Sequence, residues 1–450
     1  MSGKLSVAVV GGGLGGLAAA HALVAAGHDA HVFERTARTG GVVGTESRDG
    51  YRCELAASSF LGGPPHGALA LCDALGVPVE KASKRARARW IYIDGKLQAL
   101  PTSPIALART ELLTWRGKLA LFAEPFARAR AGGVAADESM HDFAARRFGP
   151  EVARAIIAPF VTGVYAADAH DVSVDAGFPR LAALDAAGGV VRGGIKSLFA
   201  RKRGAQKTAR GMHAPVGGMG ALVDALAAKL GARVHRGEAI EAIEPDGGGV
   251  RLGGRPWDRA VLALPAIEAA PLVARGAPEL AAKLAPFRRA AVAVVYLGVP
   301  ENLVPRAADG FGFLVAKGEE LRVLGVVFES TVWPNRAPPG HVLLRCIFGG
   351  GRDPEAATLP DRELIAHACR DIARAFGGAE AAPIAPSHAS VARWPHGLAQ
   401  YAVGHRDRVR EATAVARRAK IALAGADYRG PGVNDLCADA LDVVDAIEQM

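Results

Sequence analysis

Five of the six residues from Gly11 to Gly16 are glycine. No ordinary helix or strand carries that density, because each glycine forfeits side-chain packing and loses more backbone freedom than any other residue. The run therefore predicts a turn against which something is held close. The preceding Val7 to Val10 is apolar without alternation, the pattern of a parallel strand buried on both faces. The following Leu14 to Ala26 is rich in alanine and leucine and stops at Gly27, which predicts a helix. With DAHVFE as a second strand, the chain opens on one βαβ unit.

Within that unit Gly11, Gly13 and Gly16 fit G-x-G-x-x-G, the spacing that lets a loop turn tightly, a pyrophosphate approach the backbone and a helix sit close to the sheet. The start of the helix then offers N–H groups and partial positive charge to the phosphates. Glu34 closes the second strand about twenty residues on, placed to accept hydrogen bonds from an adenosine ribose and to repel a 2′-phosphate, which disfavours NADP. A second signal, RTGGVVGT, fits R-x-G-G-x-x-x-T and sets Arg38, Gly40, Gly41 and Thr45 beside the same nucleotide. Many FAD enzymes carry that segment after the acidic strand and nicotinamide enzymes generally do not, so the expected cofactor is FAD. Near the other end, KIALAGADYRGPGVNDLC predicts a strand, a glycine-rich turn and a helix. The helix start at Val433, Asn434 and Asp435 is placed to aim N–H groups at the flavin and stabilise negative charge on the reduced ring.

A chain of 450 residues, half of them hydrophobic, has room for about two or three domains with substantial cores. Its net charge of +9 favours an anionic partner. No nucleic-acid-binding module is recognisable, which leaves an acidic substrate or a membrane surface. Cys53, Cys72, Cys346, Cys369 and Cys437 are scattered and free of C-x-x-C spacing, so reduced thiols are expected and no metal. The first methionine runs straight into a strand, and no apolar stretch is long enough to span a bilayer, so the expected location is the cytoplasm. Residues 105–133 space Leu, Trp and Phe with Arg and Lys as an amphipathic basic helix does, and IKSLFARKRGAQKTARG adds a cationic patch. Peripheral membrane contact and a helix packed on the core with a solvated basic face are equally compatible with that pattern.

The opening fingerprint is followed, in order, by PFVTGVYAADAHDVSV, AGFPRL, GGMGALVDAL, VLALPA, GFGFLVA, VFESTVWPNRAPPG, AQYAVGH and AGADYRGPGVNDLC. With these motifs the chain resembles the oxygen-dependent protoporphyrinogen oxidases over nearly its whole length. The resemblance implies an α/β fold: a Rossmann-like FAD domain of the p-hydroxybenzoate-hydroxylase type, an α+β substrate domain and a helical, membrane-facing domain. The implied partition is 1–75, 211–265 and 406–450 for FAD, 76–104 and 266–405 for substrate, and 105–210 for the helical part. It places the backbone of Ile240 beside the adenine. It implies oxidation of protoporphyrinogen IX to protoporphyrin IX in haem biosynthesis, by hydride transfer to flavin N5 and reoxidation by O2. Because the pyrrole nitrogens push the hydride out, no catalytic residue is required of the protein.

For the substrate, the resemblance assigns Arg89 to a propionate, Phe311, Leu314 and Ile347 to the apolar walls, and Gly163 and Ala166 to close approach of the ring. FAD is expected to be non-covalent, since AGADYRGPG lacks the cysteine that amine oxidases use as a tether. Ala56 and Ala57 stand where the family usually has Gly-Pro, Ala399 where proline is common and Ala167 where glycine is usual. His405 reads as a hydrogen-bonded structural histidine rather than a proton carrier. Coproporphyrinogen III oxidases share the fold and the chemistry, and the motifs separate the two substrates poorly. An amine oxidase or desaturase, or a flavin-binding protein without catalysis, are the other readings. Homodimer formation and handover of product to a ferrochelatase stay open.

Overall fold

A computed structural model describes residues 3–63, 66–128, 130, 133, 136–193, 211–304 and 309–450. Five strands form a parallel sheet in the order Val234–Arg236, Asp29–Glu34, Ser6–Val10, Arg259–Leu262, Ile421–Leu423. They come from three distant stretches of the chain, and the central strand is the VAVV run, with Val7, Ala8 and Val9 fully buried. Val7 and Val9 pack into one core with the opening helix Leu14–Ala25 and the last helix Val433–Glu448. Ala8 and Val10 pack into another on the opposite face, where the helix His405–Arg418 lies. Burial on both faces is why the strand shows no alternation.

A seven-stranded sheet has the order His388–Gln400, Arg288–Pro300, His341–Gly349, Gly325–Phe328, Gly312–Val315, Arg89–Ile93, Lys96–Ala99. Its pairs are antiparallel except Gly312–Val315 with Arg89–Ile93. Successive side chains point to opposite faces. Phe313, Val326, Cys346 and Val295 share a core with the amphipathic helix Asp361–Gly377, which turns Leu364, Ala368, Cys369 and Ile372 inward. Register puts Arg89, Ile91, Leu314, Gly325, Ile347 and Val294 on the other face.

The basic amphipathic stretch is not one helix. It forms two short ones, Pro104–Arg109 and Trp115–Phe122, followed by a tight turn at Glu124–Phe126. Thr114 starts the second helix by accepting the Gly117 N–H at 3.3 Å, and Glu124-Pro125 ends it. The cationic stretch 195–210 lies outside the described residues. Among the described residues no helix is long and apolar enough to cross a membrane.

Candidate cofactor and substrate site

The three fingerprint glycines answer different needs. A Cβ on Gly11, whose φ is +109°, would stand 2.6 Å from the Ala263 carbonyl oxygen, and one on Gly16 would stand 2.0 Å from that of Gly11. Both are demanded by the protein's own packing. A Cβ on Gly13 would meet nothing within 4 Å. The opening helix begins on Gly13 without a side-chain cap, so its first N–H groups are left for an external anion. Gly40 pairs with Gly13, and its N–H donates to the Gly12 carbonyl at 2.7 Å. From the far end of the chain Gly425, at φ +107°, also faces open space, and a Cβ on Gly15 would come 3.7 Å from its Cα. A trough walled by bare backbone from three segments fits a dinucleotide.

Glu34 is held at one end of the trough. One carboxylate oxygen accepts the Gly12 N–H at 2.9 Å and the other accepts the Thr36 N–H and hydroxyl at 2.9 and 2.8 Å. Glu238 donates its N–H to the Glu34 carbonyl at 3.0 Å, which brings the segment with half-buried Ile240 alongside. Several predicted cofactor side chains are engaged within the protein. Arg38 donates to the carbonyls of Thr39, Val43 and Gly41 and so shapes the Gly40–Gly41 loop. Thr45 donates to Glu54 at 2.6 Å and accepts the Gly220 N–H at 2.9 Å. Asn434 accepts the Ala68 N–H at 3.0 Å and donates to the Leu61 carbonyl, Asp435 caps the Gly432 N–H at 3.1 Å, and Val433 is buried. At the start of the last helix the Asn434 amide and one Asp435 carboxylate oxygen are thus turned to the protein.

On the substrate side, exposed Arg89 lies over the Phe311 ring, 5.1 Å from its centroid. It lines a groove of about 860 Å³ with Arg87, Lys96 and Arg109, and of the predicted substrate residues Arg89 is the one in that lining, Gly163, Ala166, Phe311, Leu314 and Ile347 lying outside it. Lys96 is paired with Glu111 at 2.6 Å. Leu314 fills the space over Gly163, where a Cβ would stand 2.4 Å from its Cδ2. Ala166, in the left-handed region at φ +49°, ends the helix Ala158–Tyr165 and packs with Leu324 and Ile347.

Sequence reasoning missed a buried ionic group. Glu54 and Arg336 are fully buried and paired, and the Met219 N–H donates to Glu54 at 3.1 Å. Behind them Arg345 stands 3.5 Å from buried Glu329 and donates to the Ala56 carbonyl at 2.8 Å. Tyr296 donates to the Glu54 carbonyl at 2.7 Å and Trp394 to that of Leu55 at 2.8 Å. Tyr296 and Arg345 are register partners on the face of the large sheet that carries Ile347, so that face docks onto Glu54–Ala56. The available signal was a charge inside an apolar strand, as in HVLLRCIF. His405 is buried with Nε2 donating to the Asp427 carbonyl at 2.9 Å, and burial, then Arg408, push its pKa down to about 4. It is a neutral structural histidine.

The profile of the flavin-containing amine oxidoreductases matches residues 14–436. The chain belongs to this family. Its cofactor is accordingly FAD. Among relatives, a coproporphyrinogen III oxidase of Mycobacterium bovis is 32% identical over 448 residues, covering 95% of this chain and 94% of that protein. A chloroplastic protoporphyrinogen oxidase of Nicotiana tabacum is 29% identical over 443 residues, covering 91% and 79%. Among solved structures, one provisionally named a protoporphyrinogen oxidase, from Exiguobacterium sp. 255-15, superposes with a TM-score of 0.82 at 23% identity over the whole of both chains. Cyclohexylamine oxidase from Brevibacterium oxydans gives 0.70 at 19% identity, covering 99% of this chain and all of that one. The chain therefore shares its fold with oxidases of unrelated substrates, and its own substrate has to be argued from the site.

Proposed function

We propose that the chain oxidises a porphyrinogen to the porphyrin in haem biosynthesis, using non-covalent FAD and O2 as the final acceptor. The observation that carries this reading is one face of the seven-stranded sheet, which carries exposed Arg89 together with half-buried Leu314 and Ile347, has Phe311 under Arg89, and docks through Tyr296, Arg345 and Trp394 onto Glu54–Ala56. Bound FAD supplies the two-electron acceptor, and three two-electron steps complete the macrocycle. The chain's own part is to hold the pyrophosphate on the N–H groups that follow Gly13, to anchor a ribose at Glu34, to orient a propionate with Arg89 and to keep water from the apolar wall. No proton-transfer residue is assigned. Cys437 is buried with its thiol pushed up to about 12, which argues against a tether from the last helix.

Coproporphyrinogen III is favoured over protoporphyrinogen IX by one feature: Arg87 and Arg109 stand in the same groove as Arg89, and a substrate with four propionates uses more cations than one with two. The mycobacterial relative, matched nearly end to end, supports the same choice. The test is anaerobic mixing of the FAD-loaded protein with each porphyrinogen while following the yellow flavin band. Bleaching by coproporphyrinogen much faster than by protoporphyrinogen is expected, and no bleaching by either defeats the proposal. Arg89→Ala should raise KM about tenfold to a hundredfold, the loss of an Arg–carboxylate pair of about 1.5–3 kcal/mol, with kcat little changed. An unchanged KM removes Arg89 from the site.

A further inference from the structure

One side-chain cluster in the helical region has no part in the proposed reaction. His141 and Asp142 lie in the first turn of the helix Met140–Phe148, and His170 lies in the turn that follows Ala166. Backbone bonds hold these separate stretches together: His141 N–H donates to the Ala169 carbonyl at 2.9 Å, Met140 N–H to that of Val172 at 2.7 Å, and Ser139 pairs with Ser173. One donor atom from each of His141, Asp142 and His170 lies within 4.8 Å of the other two. The imidazoles stack with centroids 3.7 Å apart at 28°, and His141 Nδ1 is 3.3 Å from the Asp142 carboxylate. Asp142 and His170 are exposed and His141 is half-buried. Because imidazole lone pairs lie in the ring plane, the exposed His170 ring has to turn out of the stack, and the Asp142 carboxylate has to swing with it, for all three donors to meet one ion. Asp168 and Asp171 add negative charge beside them, of which Lys317 answers Asp168 at 2.7 Å.

Two imidazole nitrogens and a carboxylate oxygen are the donor set of borderline divalent ions, and three protein ligands leave a position for water. We propose that His141, Asp142 and His170 form a binding site for a divalent transition-metal ion of the zinc class, which clamps the turn 166–172 to the start of the helix at Met140. The turn begins on Ala166, whose carbonyl accepts the Gly351 N–H at 2.7 Å, and Thr162 donates to the Ala167 carbonyl at 3.1 Å. The ion therefore stiffens the end of the helix that packs on Leu314. The site involves none of the five cysteines, from whose spacing the sequence was read as metal-free.

The test uses tag-free, FAD-loaded protein stripped with a chelator, titrated with Zn2+ by calorimetry and with Co2+ by visible absorption. One ion per chain is expected. Loss of an outer-shell partner alone costs about ten- to a hundredfold in metal affinity, so His141→Ala and His170→Ala should each cost at least that. With Zn2+ bound, amides of residues 166–173 should exchange more slowly, an effect absent in both variants, whose flavin absorbance reports that they fold. Absence of saturable uptake, or uptake that neither substitution weakens, overturns the site. Specific uptake without slower exchange overturns the clamp.

Discussion

Arg336 has no solvent to turn to if Glu54 is taken away. Both are fully buried, and breaking such a pair from one side typically costs about 3–5 kcal/mol, because the remaining charge is stranded in a low-dielectric interior. Glu54→Met alone should lower unfolding stability by that amount in urea titrations, while Glu54→Met with Arg336→Met should recover most of it. His405 sets a pH dependence. Its unfolded value is near 6.5 and its folded value about 4, so between them only the unfolded chain takes up the proton. That contribution is complete above about pH 6.5 and disappears as pH falls toward 4, worth about 3 kcal/mol at most. Burial raises Asp439 to about 6, which acts with the opposite sign, stability falling as pH rises through that value. His405→Gln should therefore remove the acid-side loss in urea titrations run from pH 4 to 7, and a parallel fall in the variant and the parent defeats the assignment. At this scale the sequence is least legible. Thr45 and Asn434 match cofactor motifs, but their hydrogen bonds go to Glu54, Gly220, Leu61 and Ala68, partners that no spacing rule reveals.

The glycine loop and the helix behind it make a sharper experiment than any single side chain. Gly13 has φ −66° and open space where a Cβ would stand, so Gly13→Ala should fold like the parent, judged by the apoprotein's Tm, while losing at least about tenfold in FAD affinity by fluorescence titration. Gly16→Ala drives a methyl into the Gly11 carbonyl and should fail at folding first. Equal FAD affinity for Gly13→Ala and the parent would mean that the phosphates lie elsewhere. Elements of this kind were readable beforehand, because the strand–helix–strand pattern, the returning strand Arg259–Leu262 and the last helix follow from local periodicity and turn chemistry. The stretch read as a single basic helix was not, since a threonine cap and a proline outweighed the spacing of its apolar residues.

For the molecule as a whole, the most unusual surface is the short helix Trp115–Phe122 and its flank. Trp115, Leu119 and Phe122 fall on one side of it at 66, 56 and 68% exposure, and Phe126 follows at 83%. Arg116 and Arg192 lie against Trp115 and Phe126. In a chain of net charge +9 this face should float with anionic vesicles at low salt and release as salt rises. Trp115→Ser with Phe122→Ser should abolish flotation without changing turnover of a dispersed porphyrinogen, and parent protein that never floats removes the membrane from the account. Global pairings such as Glu54 with Arg336 or His141 with His170 lie beyond local patterns, since only the assembled sheets and turns bring them together. The parallel sheet has a further consequence of the same origin. Its edge strand Ile421–Leu423 and the helix Val433–Glu448 leave the ribosome long after Gly13 does, so the trough is complete only when all three stretches have emerged. Assembly of the flavin site should then wait for that helix to emerge, and a cell short of riboflavin should accumulate colourless polypeptide rather than arrested fragments.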